Sequence, residues 1–232
     1  MLCRISKENS KLIDKITTNY NSKNILISIA EEISLFFKLE NNILYTKIKI
    51  LSDFFDKLCI SNHRNISIPY TNFYFPEMEY LEIEVTEYEI IFYWLFSNHK
   101  RIKSFCLIEK EPYKIEFEMS KSFKLDSFLV LEVLKHLPSN EINISFTDMI
   151  SFYGTEHQLN SLVKLENKSE FYDFNLSVLK KSLKCSLNDF IVNCDFFIDE
   201  NNSKMCVSFE NDLMVFTHLM PIYLDKSKGS LA

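Results

Sequence analysis

The residues best placed to do chemistry in this chain are lysines. Lys7, Lys11 and Lys15 recur at i, i+4 and i+8, the spacing that stacks side chains in one row along a helix. Leu12, Ile13, Ile16 and Tyr20 gather on the other side of the same wheel, so a helix from Lys7 to Tyr20 has one apolar face and one positive face. A second set, Lys180, Lys181 and Lys184, surrounds Leu176, Leu179 and Leu183 in a short helical pattern from about Ser177 to Cys185. Ammonium groups on flexible stems meet phosphate oxygens without reading any base. Each row taken alone is also what an ordinary solvated helix face carries. Two such rows in a chain of net charge -6 amount to a separation of charge. Lys135 is a lesser candidate, because Glu132 stands where an internal repeat would place Lys15, and Lys100, Arg101 and Lys103 read as an exposed turn.

Other chemistries lack their parts. Only Gly154 and Gly229 are glycine, so no phosphate-cradling loop, dinucleotide fingerprint or nucleophile elbow can be written. Cys3, Cys59, Cys106, Cys185, Cys194 and Cys206 form no C-x-x-C pair, and the five histidines stand apart. No metal site is expected from such spacing, and no cofactor. Most of the cysteines sit in apolar patterns, as small buried thiols of a reducing compartment do. No apolar run reaches the roughly 18 residues that a membrane span needs, and Met1-Leu2-Cys3-Arg4-Ile5 does not open a secretory leader. A soluble protein without membrane partners is expected. Abundant Asn, Lys, Ile, Phe and Tyr beside two alanines look like AT-biased coding, which erodes motifs faster than geometry.

The elements that must position the lysines come in duplicate. The run 25–36 lies over 142–153 without a gap: six positions pair matching apolar residues, Ser28 and Ser34 fall on Ser145 and Ser151, and Glu31 falls on Asp148. The same offset carries Leu12, Ile13 and Ile16 onto Leu129, Val130 and Val133. Two similar domains of roughly 110 residues, each able to bury a core, follow from 232 residues of which 47% are hydrophobic. The first, 1–108, reads as a strand from Met1 to Ser6, the lysine helix, and strands at Asn24 to Ala30, Ile33 to Leu39 and Ile43 to Leu51. A helical turn over Asp53 to Cys59 comes next, then strands at Asn65 to Ile68, Leu81 to Val85, Ile90 to Phe96 and Arg101 to Ile108. A connector, 109–121, carries Pro112, Tyr113 and Phe117. The second domain, 122–224, repeats the plan with a helix from about Asp126 to Leu137 and strands at Glu141 to Thr147, Ile150 to Tyr153, Ser161 to Leu165 and Phe171 to Leu176. After the short lysine helix come strands at Asp189 to Ile198, Lys204 to Glu210 and Leu213 to Tyr223, then a polar tail, 225–232. The fold class is α+β, with antiparallel sheets and basic helices on one face.

Strand, basic helix, meander, second basic helix and further antiparallel strands, given twice, resemble the eukaryotic sliding clamps of the proliferating cell nuclear antigen type. The segment from Phe174 to Leu224, whose last strand runs into Leu219-Met220-Pro221, is the most specific stretch. The resemblance implies a non-catalytic subunit of a ring around duplex DNA, with Lys7, Lys11, Lys15, Lys135, Lys180, Lys181 and Lys184 lining the channel. It also implies a partner-peptide pocket bordered by Tyr113, Ile115, Phe117, Pro221, Ile222 and Tyr223. Divergence from the replicative clamp, and the region from Ile91 to Phe117, look most like a subunit of the heterotrimeric nine-one-one DNA-damage checkpoint clamp, the one that elsewhere bears a phosphorylated tail. That identity implies a nuclear protein with two other clamp subunits, a clamp loader and repair and checkpoint proteins as partners. The tail here is short, which departs from that subunit. The segment from Pro69 to Met78 contains two prolines and departs from the family's second channel helix. A homotrimeric replicative or viral-type processivity clamp, and an unrelated soluble α+β enzyme with a pocket assembled from distant residues, are the alternative readings.

Overall fold

The protein is described by a computed structural model covering residues 1–20, 22–39, 44–112, 117–126, 141–146, 150–153, 158–161, 170–175, 193–199, 204–221 and 223–224. The chain divides into two compact units, residues 1–115 with 210–216, and residues 116–209 with 217–232.

In the first unit a sheet of five strands takes the order β5-β1-β7-β8-β9, from Lys57–Cys59 (β5), Leu2–Ser6 (β1), Tyr80–Val85 (β7), Glu89–Leu95 (β8) and Lys100–Cys106 (β9). All pairs are antiparallel. Period-two alternation puts Cys3, Ile5, Leu81, Ile83, Val85, Ile90, Phe92 and Trp94 on one buried face. Helix α1, Lys7–Tyr20, covers part of that face along β1 and β7. A second run of strands takes the order β10-β6-β2-β3-β4, from Ile108–Glu109 (β10), Arg64–Pro69 (β6), Asn24–Ile29 (β2), Ile33–Leu39 (β3) and Leu44–Ile50 (β4). β4 neighbours β18, Met214–Pro221, whose residues 214–216 belong to this unit.

The second unit has the same order in its sheet β14-β13-β12-β15-β19, from Gln158–Ser161 (β14), Ile150–Tyr153 (β13), Glu141–Phe146 (β12), Glu170–Asn175 (β15) and Tyr223–Leu224 (β19). Here the duplication becomes a matter of hydrogen bonds. Ser28 pairs Ser34 and Ile29 pairs Ile33, and at the same offset Ser145 pairs Ser151 and Phe146 pairs Ile150. A one-residue slip would turn every side chain to the wrong face, so the shared pattern sets a shared register. β11 (Lys121–Asp126), β16 (Asn193–Asp199) and β17 (Lys204–Glu210) complete this unit, with β16 between the other two.

Several expectations are corrected. Over 53–59 only Ser52–Phe54 makes a 3₁₀ turn, and Lys57–Cys59 pairs with β1 as a strand. Lys121–Asp126 is a strand rather than connector and helix start. The strand expected from Ser161 to Leu165 is already running at Gln158, and its residues 162–165 lie outside the described residues. At the end of the last expected strand, Tyr223–Leu224 (β19) pairs with β15. Lys100, Arg101 and Lys103 lie in β9; the turn is 96–99, closed by the Phe96 N–H donating to the His99 carbonyl at 3.0 Å. Cys3 and Cys194 are buried but Cys59 and Cys106 are exposed, because β5 and β9 are the two edges of their sheet. The helices expected over 126–137 and 177–185 lie outside the described residues.

His218 is fully buried, its ring 5.3 Å from that of Phe209, and burial pushes its imidazole down to about 3. The unfolded chain therefore binds the extra proton between about pH 6.5 and about pH 3, and stability is present above that window and lost as pH falls through it. Urea titrations across this range should show a stability slope in the wild type reduced by on the order of 1.4 kcal/mol per pH unit in His218→Gln. Equal slopes would show that His218 is not the group concerned.

Candidate nucleic-acid interface

Helix α1 starts where Ser6 caps it: the Ser6 hydroxyl oxygen accepts the Asn9 N–H at 3.1 Å, satisfying one of the free first-turn donors. Ile13, Ile16, Thr17 and Tyr20 are buried, and the Tyr20 ring stacks on Phe37 at 4.5 Å. The Thr17 hydroxyl donates back to the Ile13 carbonyl at 2.9 Å, which lets a polar side chain sit on the buried face. With that face fixed, Lys11 and Lys15 are exposed and Lys7 is half-buried. No ion pair engages any of the three among the described residues.

The flanks of the row are fastened to the rest of the unit. The Asn9 amide donates to the Phe54 carbonyl at 2.8 Å. The Asp14 carboxylate accepts the Phe73 N–H at 2.7 Å, and the Thr18 and Tyr70 hydroxyls are 2.9 Å apart. These last two bonds dock the segment 70–79 against the helix. That segment is not helical. It covers the sheet with side chains instead: Phe73 meets Phe92 edge-on at 5.8 Å, and Phe75 meets Trp94 edge-on at 5.4 Å.

The remaining expected site residues divide as follows. Lys135, Lys180, Lys181, Lys184, Tyr113, Ile115 and Ile222 lie outside the described residues. Phe117 is half-buried, next to the Glu118 N–H that donates to Asp199 at 2.8 Å. Pro221 ends β18, and Tyr223 pairs through its backbone with Asp173. A cleft of about 350 Å³ is lined by Met1, Asn62, Arg64 and Glu87, but its cations are engaged by backbone carbonyls. The Met1 amino group donates to Val85 at 3.0 Å, and Arg64 donates to Thr86 at 3.0 Å and Glu87 at 2.9 Å. Among the described residues no group of His, Cys, Asp and Glu could hold a metal ion, and no helix is long and apolar enough to cross a membrane.

No family model matches the chain, and no curated protein matches it in sequence. Its structure does match a solved one, of the C-terminal region of FEN-1 bound to A. fulgidus PCNA, with a TM-score of 0.69 over 97% of this chain and 99% of that chain, at 13% sequence identity. The fold is therefore the α+β fold of the PCNA-like DNA clamps, built from antiparallel sheets with helices against them.

Loss of the Asp14 acceptor should loosen the segment that stands beside the lysines. Asp14→Ala strands the part-buried Phe73 N–H and is expected to cost about 1–3 kcal/mol in urea unfolding, with faster amide exchange at Phe73. Lys11→Gln, at an exposed position, should stay within about 0.5 kcal/mol of wild type.

Proposed function

We propose that this chain is a non-catalytic subunit of a ring-shaped DNA clamp that encircles duplex DNA without sequence preference and holds partner proteins on it. One observation carries the reading: the matching order of the duplicated strands. In that correspondence β4 answers to β14 and β9 answers to β18. Residues 214–216 of β18 lie beside β4 within the first unit, whereas β9 and β14 each end a sheet among the described residues. An unpaired edge is a template for another strand, and the duplication supplies its complement: β9 of one copy fits β14 of the next, as β18 fits β4. Repeated head to tail, such a joint closes into a ring if the rotation allows.

The lysine row of α1 suits the interior of the ring, since point charges on flexible stems neutralise phosphates in any sequence. Lys135, Lys180, Lys181 and Lys184 are assigned the same role. Tyr113, Ile115, Phe117, Pro221, Ile222 and Tyr223 are assigned to partner-peptide docking; the matched structure contains PCNA with a bound FEN-1 segment. The self-complementary edges favour a homotrimeric processivity clamp. The second reading, a subunit of the nine-one-one checkpoint clamp with two different partner chains, is supported by the divergence of the sequence from replicative clamps. Either reading puts the protein in the nucleus or wherever its DNA is replicated, with a clamp loader as a further partner.

Light scattering on the purified chain tests this first. Three times the 27.5 kDa chain mass is the expected result for the homotrimer. A monomer that trimerises only with two other clamp-fold chains would select the checkpoint reading. Charge reversal at Lys11, Lys15 and Lys181 together should shorten retention on closed circular DNA at least tenfold while leaving the melting temperature unchanged. Unchanged retention would remove the channel assignment.

A further inference from the structure

The side of the first sheet that faces α1 carries two cations that no helix covers among the described residues. Arg101 pairs with Trp94 and Lys103 pairs with Phe92 across β9 and β8, and directly paired residues point to the same face. Trp94 and Phe92 are buried, yet Arg101 and Lys103 are exposed. The reason lies in the sheet order: α1 runs along β1 and β7, β9 is the edge strand, and the segment 70–79 reaches it only as a loop. That loop supplies a ring instead of cover. The Arg101 guanidinium lies 4.6 Å from the centre of the Phe75 ring, and the Lys103 ammonium lies 4.8 Å from that of Phe105.

The two faces also differ in charge. The other face carries both signs: Glu82 and Glu84, bonded to Arg4 and Tyr93, Glu89, which alternates with buried Ile90, and Lys57 and Lys100, which lie opposite Arg4 and Leu95. The α1 side carries no carboxylate from these strands. Of the three arginines, Arg4 is engaged by Glu82 and Arg64 by two carbonyls. Arg101 has neither a hydrogen-bond acceptor nor an ion-pair partner among the described residues. A guanidinium stacked on an aromatic face keeps its in-plane N–H donors free and fixed in direction, which suits bidentate contact with phosphate.

We infer that Arg101 and Lys103 form a phosphodiester-binding site on β9, extending the α1 lysine row across the sheet where the family's second helix is missing. The site rests on the clamp reading, and it takes the backbone of duplex DNA rather than its bases. Charge complementarity selects this occupant: the basic α1 row and the two β9 cations share one side of the sheet, where the strands carry no carboxylate, whereas the other side carries both signs. In the proposed ring the neighbouring chain pairs with the β9 backbone, so the competing role for these two side chains is contact with that chain.

The test is an NMR titration of the full chain with a short duplex of mixed sequence at low salt, run on the wild type, Arg101→Gln/Lys103→Gln and Lys11→Gln/Lys15→Gln, with light scattering on each. Amides of 100–105 and of α1 should shift together in the wild type and return at high salt. The β9 double variant should bind about tenfold more weakly, its salt slope reduced by about two contacts. Wild-type affinity in the β9 variant, with weakened binding in the α1 variant, would overturn the site and leave the clamp reading standing. An unchanged titration with a lowered native mass would assign the cations to a neighbouring chain and also overturn it. No shift anywhere with duplex would overturn both.

Discussion

The α1 side of the first sheet is governed by one constraint: an apolar face running from Cys3 and Ile5 to Phe92 and Trp94 must be kept from water, and α1, which lies along β1 and β7, is too narrow to do this. Burying each such side chain stabilises the fold by about 1.5–3 kcal/mol, so exposing even two of them would consume much of a typical domain's stability. Helix α1 shields the part over β1 and β7. Beyond it, Phe73 and Phe75 cap Phe92 and Trp94 edge-on. An extended segment can do this only if its backbone polar groups find partners, and the Asp14 carboxylate and Thr18 hydroxyl meet that need. Asp14 therefore holds the aromatic cap and marks one flank of the lysine row.

Charge follows cover. Once a face is sealed by helix and rings, the positions at its margin are free to carry ions, and their sign reflects what they face. On the far side of the sheet the carboxylates are tied into short networks: Glu82 with Arg4 at 2.6 Å and Glu84 with the Tyr93 hydroxyl at 3.0 Å. The hydrogen bond to Glu84 raises the Tyr93 phenol above its ordinary value. Both pairs are part-exposed, so they contribute little to stability. On the helix side the strands themselves carry no carboxylate, only Arg101 and Lys103.

Much of this was legible in the sequence where a pattern was long and had a single period. The α1 boundaries follow from a 3.6-residue stripe ended by Tyr20, and the two equivalent hairpins follow from Ser and Ile spaced alike. The non-helical character of 70–79 follows from Pro69 before it and Pro76 within it. What was hidden depended on tertiary neighbours. β5 is three residues long and exists only because β1 lies beside it. The Lys-Arg-Ile-Lys run looked like a turn because an edge strand, solvated on both sides, has no apolar alternation to announce it. Arg101 and Lys103 could have been noticed through their spacing of two, but their significance needs the register that sets them opposite Trp94 and Phe92.

The contrast between β9 and its counterpart β18 shows how a duplicated fold divides labour. Met214, Phe216 and His218 along β18 are buried. β9 ends its sheet, and most of its residues are exposed. An apolar strand left open in this way would invite indiscriminate pairing, and lysine on an edge is a common protection against it. The same substitution that makes the edge safe in the free chain makes it cationic in an assembled one. Protection from aggregation and attraction for an anion therefore need not have arisen separately: at Arg101 and Lys103 one change of residue type meets both demands, and only the stacking on Phe75 and Phe105, which protection alone does not require, points to the second.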